Sequence, residues 1–221
     1  VMYIKGTKMR TDVTLGGMAR STIIDAVARQ MIVLDPDARQ ATIYDLSKMA
    51  EQMQKAAGIQ DAKVSMTPTG ETKQLLGRTC TGYTLSISVP VTIGSNTMTL
   101  TLGGPVWIAK DAPGTKDFAT FYKAAGESGL FFAPGGGRGG VQNPQARGMA
   151  LMYTALGDAG GIPYEQEVEI KTEATGPMAD MMRGRGGMPS TTTTTTVTSI
   201  STDPIPDDKF EIPAGYTKKS Q

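Results

Sequence analysis

Histidine is absent from this chain of 221 residues, and Cys80 is its only cysteine. Without histidine there can be no Ser-His or Cys-His nucleophile and no histidine-ligated metal. A single cysteine cannot form a disulfide within the chain or a cysteine-rich zinc site, so we expect Cys80 to be a small buried side chain. These absences favour a protein without catalytic residues, without a metal and without a cofactor.

The sequence also lacks an excess of either charge, because 22 basic and 21 acidic residues give a formal net charge of +1. Nucleic-acid binding requires a basic surface, so we expect no nucleic-acid partner. No run of about 18 apolar residues exists, so we expect no transmembrane segment. The chain opens with strand-like Val1-Met2-Tyr3-Ile4, and we expect that a leader was removed or that an earlier segment lies outside this sequence.

Alternation of apolar and hydroxyl side chains is the strongest pattern present. From Tyr83 to Ile93 the odd positions are Tyr, Leu, Ile and Val, and the even ones are mostly Thr and Ser. This period of two predicts a strand with one buried and one wet face, followed by a turn at Gly94-Ser95-Asn96. Further predicted strands cover residues 2–5, 8–15, 22–25, 30–34, 41–44, 63–67, 72–76, 97–102, 106–109, 162–171 and 191–201.

Two of these strands depart from simple alternation. Residues 31–34 are apolar at every position, so we expect this strand to be covered on both faces. Residues 191–196 are all threonine. Threonine favours strands, and an O-glycosylated patch is the alternative for this run.

Three segments carry apolar residues at helical spacing, with caps or breakers at their ends. Their stripes are Leu46, Met49, Ala50, Met53 and Ala57; Phe118, Phe121, Tyr122 and Ala125; and Met149, Met152, Tyr153 and Leu156. Such stripes ordinarily pack on a sheet as core. Two of them are rich in methionine, which adapts its shape to varied apolar guests.

Together these elements predict an α+β fold in which residues 1–221 form one domain. We expect a largely antiparallel sheet in a single layer, with a polar face exposed to water and an apolar face covered by a few short helices. Residues 133–142 and 176–190 are Gly/Met-rich and predict loops. Within them, Arg138, Arg183 and Arg185 are candidates for contact with an anionic lipid head group or with an acidic surface of a protein partner.

Several motifs resemble one bacterial family. They are Tyr3-Ile4-Lys5-Gly6-Thr7-Lys8-Met9-Arg10, the hairpin of residues 32–35 and 41–44, Gly77-Arg78-Thr79-Cys80-Thr81-Gly82-Tyr83, Val106-Trp107-Ile108-Ala109 and the segment Phe210-Glu211-Ile212-Pro213-Ala214-Gly215-Tyr216. The family is an envelope family of uncharacterised function, usually placed with the LolA/LolB-type lipoprotein carriers. Its pattern includes a helix and a strand before Tyr3 that this sequence does not contain.

The resemblance implies a strongly curved, incomplete β-barrel whose concave apolar side is covered by helices. In the carriers, that cavity holds the acyl chains of lipoproteins. The family is generally exported, so the resemblance also implies a location in the bacterial periplasm, at the outer membrane or outside the cell.

Three functions remain open on this basis. The first is a non-enzymatic binding protein for an apolar ligand, a lipid or an acylated protein, held in a groove lined by Met49, Met53, Phe118, Phe121, Tyr122, Met149 and Met152. The second is a structural or accessory subunit of a larger envelope complex, with its concave face filled by its own helices and no ligand. The third is an enzyme, which would need a carboxylate pair, a Ser-Lys pair or a tyrosine, and no such constellation is recognisable.

Overall fold

The computed structural model describes residues 1–47, 62–93, 96–128, 144–175 and 190–220. In these ranges the chain forms eleven strands, two α-helices and a short 3-10 helix at Asp207–Phe210. The strands and helices are β1 (Met2–Lys5), β2 (Lys8–Leu15), β3 (Met18–Asp25), β4 (Gln30–Asp35), β5 (Gln40–Asp45), β6 (Lys63–Leu75), β7 (Arg78–Ile93), β8 (Asn96–Ala109), α1 (Thr115–Ser128), α2 (Pro144–Asp158), β9 (Ile162–Thr175), β10 (Thr191–Thr196) and β11 (Thr217–Ser220).

The strands form two hydrogen-bonded sheets. Sheet A has the order β1-β2-β3-β4-β5-β11, and sheet B has the order β10-β9-β8-β7-β6. Every neighbouring pair is antiparallel except β11 and β5, which are parallel. The α+β class and the largely antiparallel pairing are confirmed. The expectation of a single sheet is wrong for the described strands, because β11 occupies the edge of β5 that β6 would need to continue sheet A.

Sheet B has the two-sided character that the alternation predicts. Leu85, Ile87 and Val89 of β7 are buried, whereas Thr84 and Ser86, at alternate positions, are exposed. The buried side packs against Met152 and Leu156 of α2. Alternating residues of a strand point to opposite faces, so here the face of sheet B under α2 forms core and the opposite face is exposed at Thr84 and Ser86.

Two pairs of predicted strands each form one longer strand. Residues 63–67 and 72–75 lie in β6, whose pairing with β7 shifts register between Pro68 and Thr72, and the predicted last residue, Leu76, lies in the turn that follows. Residues 97–102 and 106–109 lie in β8, where Gly103 and Gly104 continue the strand. Gly104 has a φ of 149°, and a Cβ there would overlap the carbonyl oxygen of Glu167. Glycine is therefore required where β8 and β9 approach closely.

Sheet A is covered on both faces at β4, as the apolar run at residues 31–34 predicts. Met31 packs in a cluster with Met9, Ile24 and the aromatic side chains of α1. Ile32 and Leu34 point the other way and pack with Phe210, together with Ile205, Ile212 and Tyr216. The segment 205–216 thus forms a second cover, which we call the tail cover.

Polar contacts hold the tail cover against the first strands. The Lys5 ammonium donates to the carbonyl of Ile205 at 2.9 Å and pairs with Asp207 Oδ1 at 2.7 Å. Arg10 donates to the carbonyl of Lys209 at 3.0 Å. These groups are exposed, so each contact contributes little free energy and their main effect is to orient the cover.

The two helices pack against each other as well as against the sheets. The rings of Tyr122 in α1 and Tyr153 in α2 stack with centroids 5.2 Å apart. A Cβ at Gly126 would lie 2.5 Å from Thr154 Oγ1, so glycine permits this close approach. Of the predicted helix at residues 46–57, only Leu46 and Ser47 fall in the described ranges, and both are helical. None of the described helices has the length and apolarity needed to cross a membrane.

Candidate functional site

The predicted groove residues of α1 lie in the core against sheet A. Phe118, Phe121 and Tyr122 are buried and contact a cluster that includes Met9 and Ile24. Phe118 and Tyr122 have ring centroids 4.2 Å apart, and Phe121 meets Tyr122 edge-on at 5.3 Å. Their helical spacing places all three on the face that meets the sheet.

The predicted groove residues of α2 belong to a second cluster, against sheet B. Met152 is buried there, and Met149 is half-buried beside it. Tyr153 packs against both clusters and therefore connects the two halves of the predicted groove. The remaining candidates, which are Met49, Met53, Arg138, Arg183 and Arg185, lie outside the described residues.

An uncovered apolar surface continues the α1 cluster along sheet A. Met2, Val13 and Met18 are 48%, 43% and 58% exposed, and we call these three residues the apolar strip. Val13 lies four residues from buried Met9 on β2 and so points to the same face. Met2 pairs with Thr11, and Val13 pairs with Arg20, two residues from Met18. The strip therefore runs diagonally over three strands on the helix-bearing face.

The strip is continuous with the buried aromatic cluster. The Tyr122 hydroxyl lies 3.9 Å from the Met2 sulfur, within reach of a weak hydrogen bond. Burial raises the pKa of Tyr122 and of Tyr153 above the ordinary tyrosine value, so both rings stay neutral at physiological pH. This surface offers apolar contact and adaptable methionine side chains, and it presents no ionised phenolate.

Sequence patterns gave no sign of the strip. Met9, Thr11 and Val13 alternate as one face of a strand, and the same face carries Thr22 and Arg20 on β3. This mixture of apolar and polar side chains matches neither a core face nor a wet face. The signal that could have found the strip is large apolar residues that stay exposed next to a strong core pattern. Reading this signal requires knowing how far α1 extends over sheet A.

A polar cluster lies on the opposite face of sheet B from α2. Lys73 Nζ pairs with Glu165 Oε1 at 2.6 Å and lies 5.5 Å from the centre of the Trp107 ring. Cys80 is fully buried nearby, as expected, and burial raises the pKa of its thiol. A raised pKa disfavours the thiolate, so this arrangement does not activate Cys80 as a nucleophile. In the described ranges, no group of three or more Cys, Asp or Glu side chains is placed to hold a metal ion.

Comparisons of the chain with models of protein families, with curated proteins and with solved structures find no match. The likeness to the lipoprotein carriers therefore remains a prediction from the short motifs quoted above. The apolar strip and the two helix clusters are the features of the molecule that bear on its function.

Proposed function

We propose that this protein is a non-enzymatic binding protein that holds an apolar ligand, either a lipid or an acylated protein, on the helix-bearing face of sheet A. The observation that carries the proposal is the apolar strip, which continues a buried aromatic cluster into solvent. Large apolar side chains grouped in this way mark binding surfaces more often than scattered ones do.

The proposal includes a shape for the whole face. The two sheets bend around the helix pair and form one concave apolar surface, of which the strip is the rim. Two contacts support this arrangement: α1 packs on sheet A, and α2 packs on sheet B. Because α1 and α2 also contact each other through Tyr122 and Tyr153, the two helices form one layer that both sheets pack against.

Binding would require α1 to move. Phe121 is fully buried by the chain's own residues, so an acyl chain that follows the strip inward must displace this helix. Burial is worth about 0.8 kcal/mol for each CH₂ group, so a chain of ~14–16 carbons represents about 10 kcal/mol. That free energy can offset part of the cost of exposing aromatic side chains, and methionines along the path can adapt their rotamers.

The same proposal places the protein in the bacterial periplasm, at the outer membrane or outside the cell. Its support is the resemblance of the sequence motifs to an exported envelope family. Fractionation of the producing bacterium, with detection by an antibody to this chain, tests the location. Recovery in the cytoplasmic fraction alone would contradict this part of the proposal and leave ligand binding as a separate question.

A fluorescent fatty acid tests ligand binding. We expect Val13→Glu and Met18→Glu each to weaken binding about tenfold or more, because each places a charge in an apolar contact. Both side chains are exposed, so the thermal midpoint should change little. The matched control is Val27→Glu, since Val27 is an exposed valine in the turn between β3 and β4 and is not part of the strip. Equal binding by all three variants would contradict the assignment of the strip.

One observation favours a second candidate, the structural or accessory subunit of an envelope complex. Phe121 and Met152 are buried by the protein's own side chains, which leaves the helix layer packed without a guest. Native mass spectrometry of protein extracted from its source membrane fraction separates the two. Bound lipid supports the binding protein, and a bound polypeptide with no lipid supports the subunit.

A further inference from the structure

The edges of the two sheets differ in how they are protected from pairing with other strands. β1 and β11 are only four residues long, and β11 carries Lys218 and Lys219. β6 contains Pro68 and a break in register. Short length, lysine, proline and bulges are the usual devices that keep an exposed edge from associating. Three of the four edges therefore carry such a device.

The fourth edge, β10, carries none of these devices. Its six residues are all threonine and all exposed, and they pair with β9 without a shift of register. In the described part of the chain, no strand pairs with its other side. Threonine has a high preference for strands, so β10 presents a regular, uncharged edge.

The register identifies the backbone groups that face outward. The amide of Val197 donates to the carbonyl of Tyr164 at 2.8 Å, so Val197 points its backbone groups toward β9. In an antiparallel pair this orientation alternates along the strand. Thr191, Thr193 and Thr195 therefore bond to β9, and the amides and carbonyls of Thr192, Thr194 and Thr196 face the free edge.

We propose that β10 pairs with β10 of a second copy of this chain, antiparallel about a two-fold axis, and joins two copies of sheet B into one continuous sheet. A two-fold interface must be complementary to itself. A strand of six identical residues is complementary to itself in every register, because each threonine lies opposite a threonine of the second copy. Cross-strand threonine pairs are also favourable in sheets.

The charges near β10 are compatible with this pairing. The nearest are three glutamates on β9. Glu165 is paired with Lys73 and Glu169 with Lys171. Glu167 is exposed and lies opposite Thr194. In the dimer, the two β9 strands would be separated by the two β10 strands, a distance of about 14 Å at ~4.8 Å per strand. This distance exceeds the Debye length of about 8 Å at physiological ionic strength, so repulsion between the glutamates is screened.

The interface is small, so the dimer should be weak. A single strand pair of this length buries less than the ~1,200 Å² that is typical of stable complexes. We therefore expect a monomer–dimer equilibrium that depends on protein concentration in the micromolar range.

Sedimentation velocity of the full chain over a range of micromolar concentrations tests the proposal. We expect the sedimentation coefficient of the wild type to rise with concentration. Thr194→Pro removes an amide that faces the free edge and should weaken dimerisation about tenfold or more, and the isosteric Thr194→Val, which keeps the amide, should not. A wild type that stays monomeric throughout would overturn the proposal, as would equal dimerisation by Thr194→Pro.

Hydrogen exchange of the wild type provides a readout that does not depend on the folding of any variant. We expect the amides of Thr193 and Thr195 to be protected at every concentration, and those of Thr192, Thr194 and Thr196 to gain protection as concentration rises. Protection of all five amides at every concentration would mean that the chain itself covers this edge, and would overturn the proposal. Neither experiment uses a lipid, so its outcome is independent of the proposed ligand binding.

Discussion

Leu85 and Thr84 are consecutive residues of β7 with opposite surroundings. Leu85 is buried under α2, and Thr84 is exposed on the solvent face of sheet B. We expect Leu85→Asp to lower the free energy of unfolding by about 4 kcal/mol or more, because the carboxylate would be buried without a partner. That loss is a large part of the ~5–15 kcal/mol typical of a folded domain.

Thr84→Asp is the control for Leu85→Asp. We expect it to change the free energy of unfolding by about 0.5 kcal/mol or less, because the new carboxylate stays in water. Urea denaturation followed by circular dichroism measures both variants. A stable Leu85→Asp beside an unfolded Thr84→Asp would reverse the faces assigned to β7.

At the residue scale, the sequence predicts burial well where a period repeats. The alternation from Tyr83 to Val89 predicts the buried and exposed residues of that part of β7, and the apolar run at residues 31–34 predicts cover on two faces. The exposure of Met2, Val13 and Met18 could not be predicted in this way, because it depends on how far α1 extends over sheet A. That boundary is a tertiary property and leaves no local pattern.

At the element scale, the tail cover gives sheet A its second buried face. Phe210 is its most buried side chain and packs against Ile32 and Leu34. We expect Phe210→Ala to lower the free energy of unfolding by about 3–5 kcal/mol, through lost burial and the cavity that remains. Glu211→Ala is the adjacent control, since Glu211 is exposed and should cost little. Equal losses in the two variants would show that Phe210 does not anchor the cover.

Element boundaries show where local patterns stop being informative. Most strands of sheet A begin and end within a few residues of the predicted limits, because turns with glycine or aspartate separate them. β11 was not predicted, because Thr217-Lys218-Lys219-Ser220 has neither alternation nor apolar residues. It forms a strand only because the tail cover brings it beside β5 in parallel. The predicted strand of residues 191–201 ends at Thr196 for a similar reason, since the chain then leaves sheet B.

At the scale of the whole molecule, Tyr153 couples the two sheets. It stacks on Tyr122 and packs against the clusters of both sheets. We expect amides in β3 and β7 of the wild type to exchange with the same free energy of opening. In Tyr153→Ala, we expect these values to separate by about 1 kcal/mol or more, because the shared contact is lost.

Tyr153→Phe serves as the control, because it keeps the stacked ring and removes only the hydroxyl. Hydrogen exchange followed by NMR measures each amide in the three proteins. If the free energies of opening of the β3 and β7 amides decrease by the same amount in Tyr153→Ala, other contacts couple the two sheets.

The global arrangement was the least predictable part. The local patterns of β5 and β6 agree as well with one continuous sheet as with two separate sheets. The division into two sheets depends on β11, which is distant from both strands in the sequence. The candidate residues of α1 and α2 lie on the sides of the two helices that face the sheets, and their separation into two clusters follows from this division.

The tail cover also sets an order of events during synthesis. β1 to β5 leave the ribosome well before residues 205–216, yet these residues shield the side of sheet A that carries Ile23 and Leu34. During that interval the apolar side chains on this side of sheet A have no cover in the nascent chain. A chaperone that holds nascent chains would therefore find its natural target in the first five strands, and would be released when the cover docks.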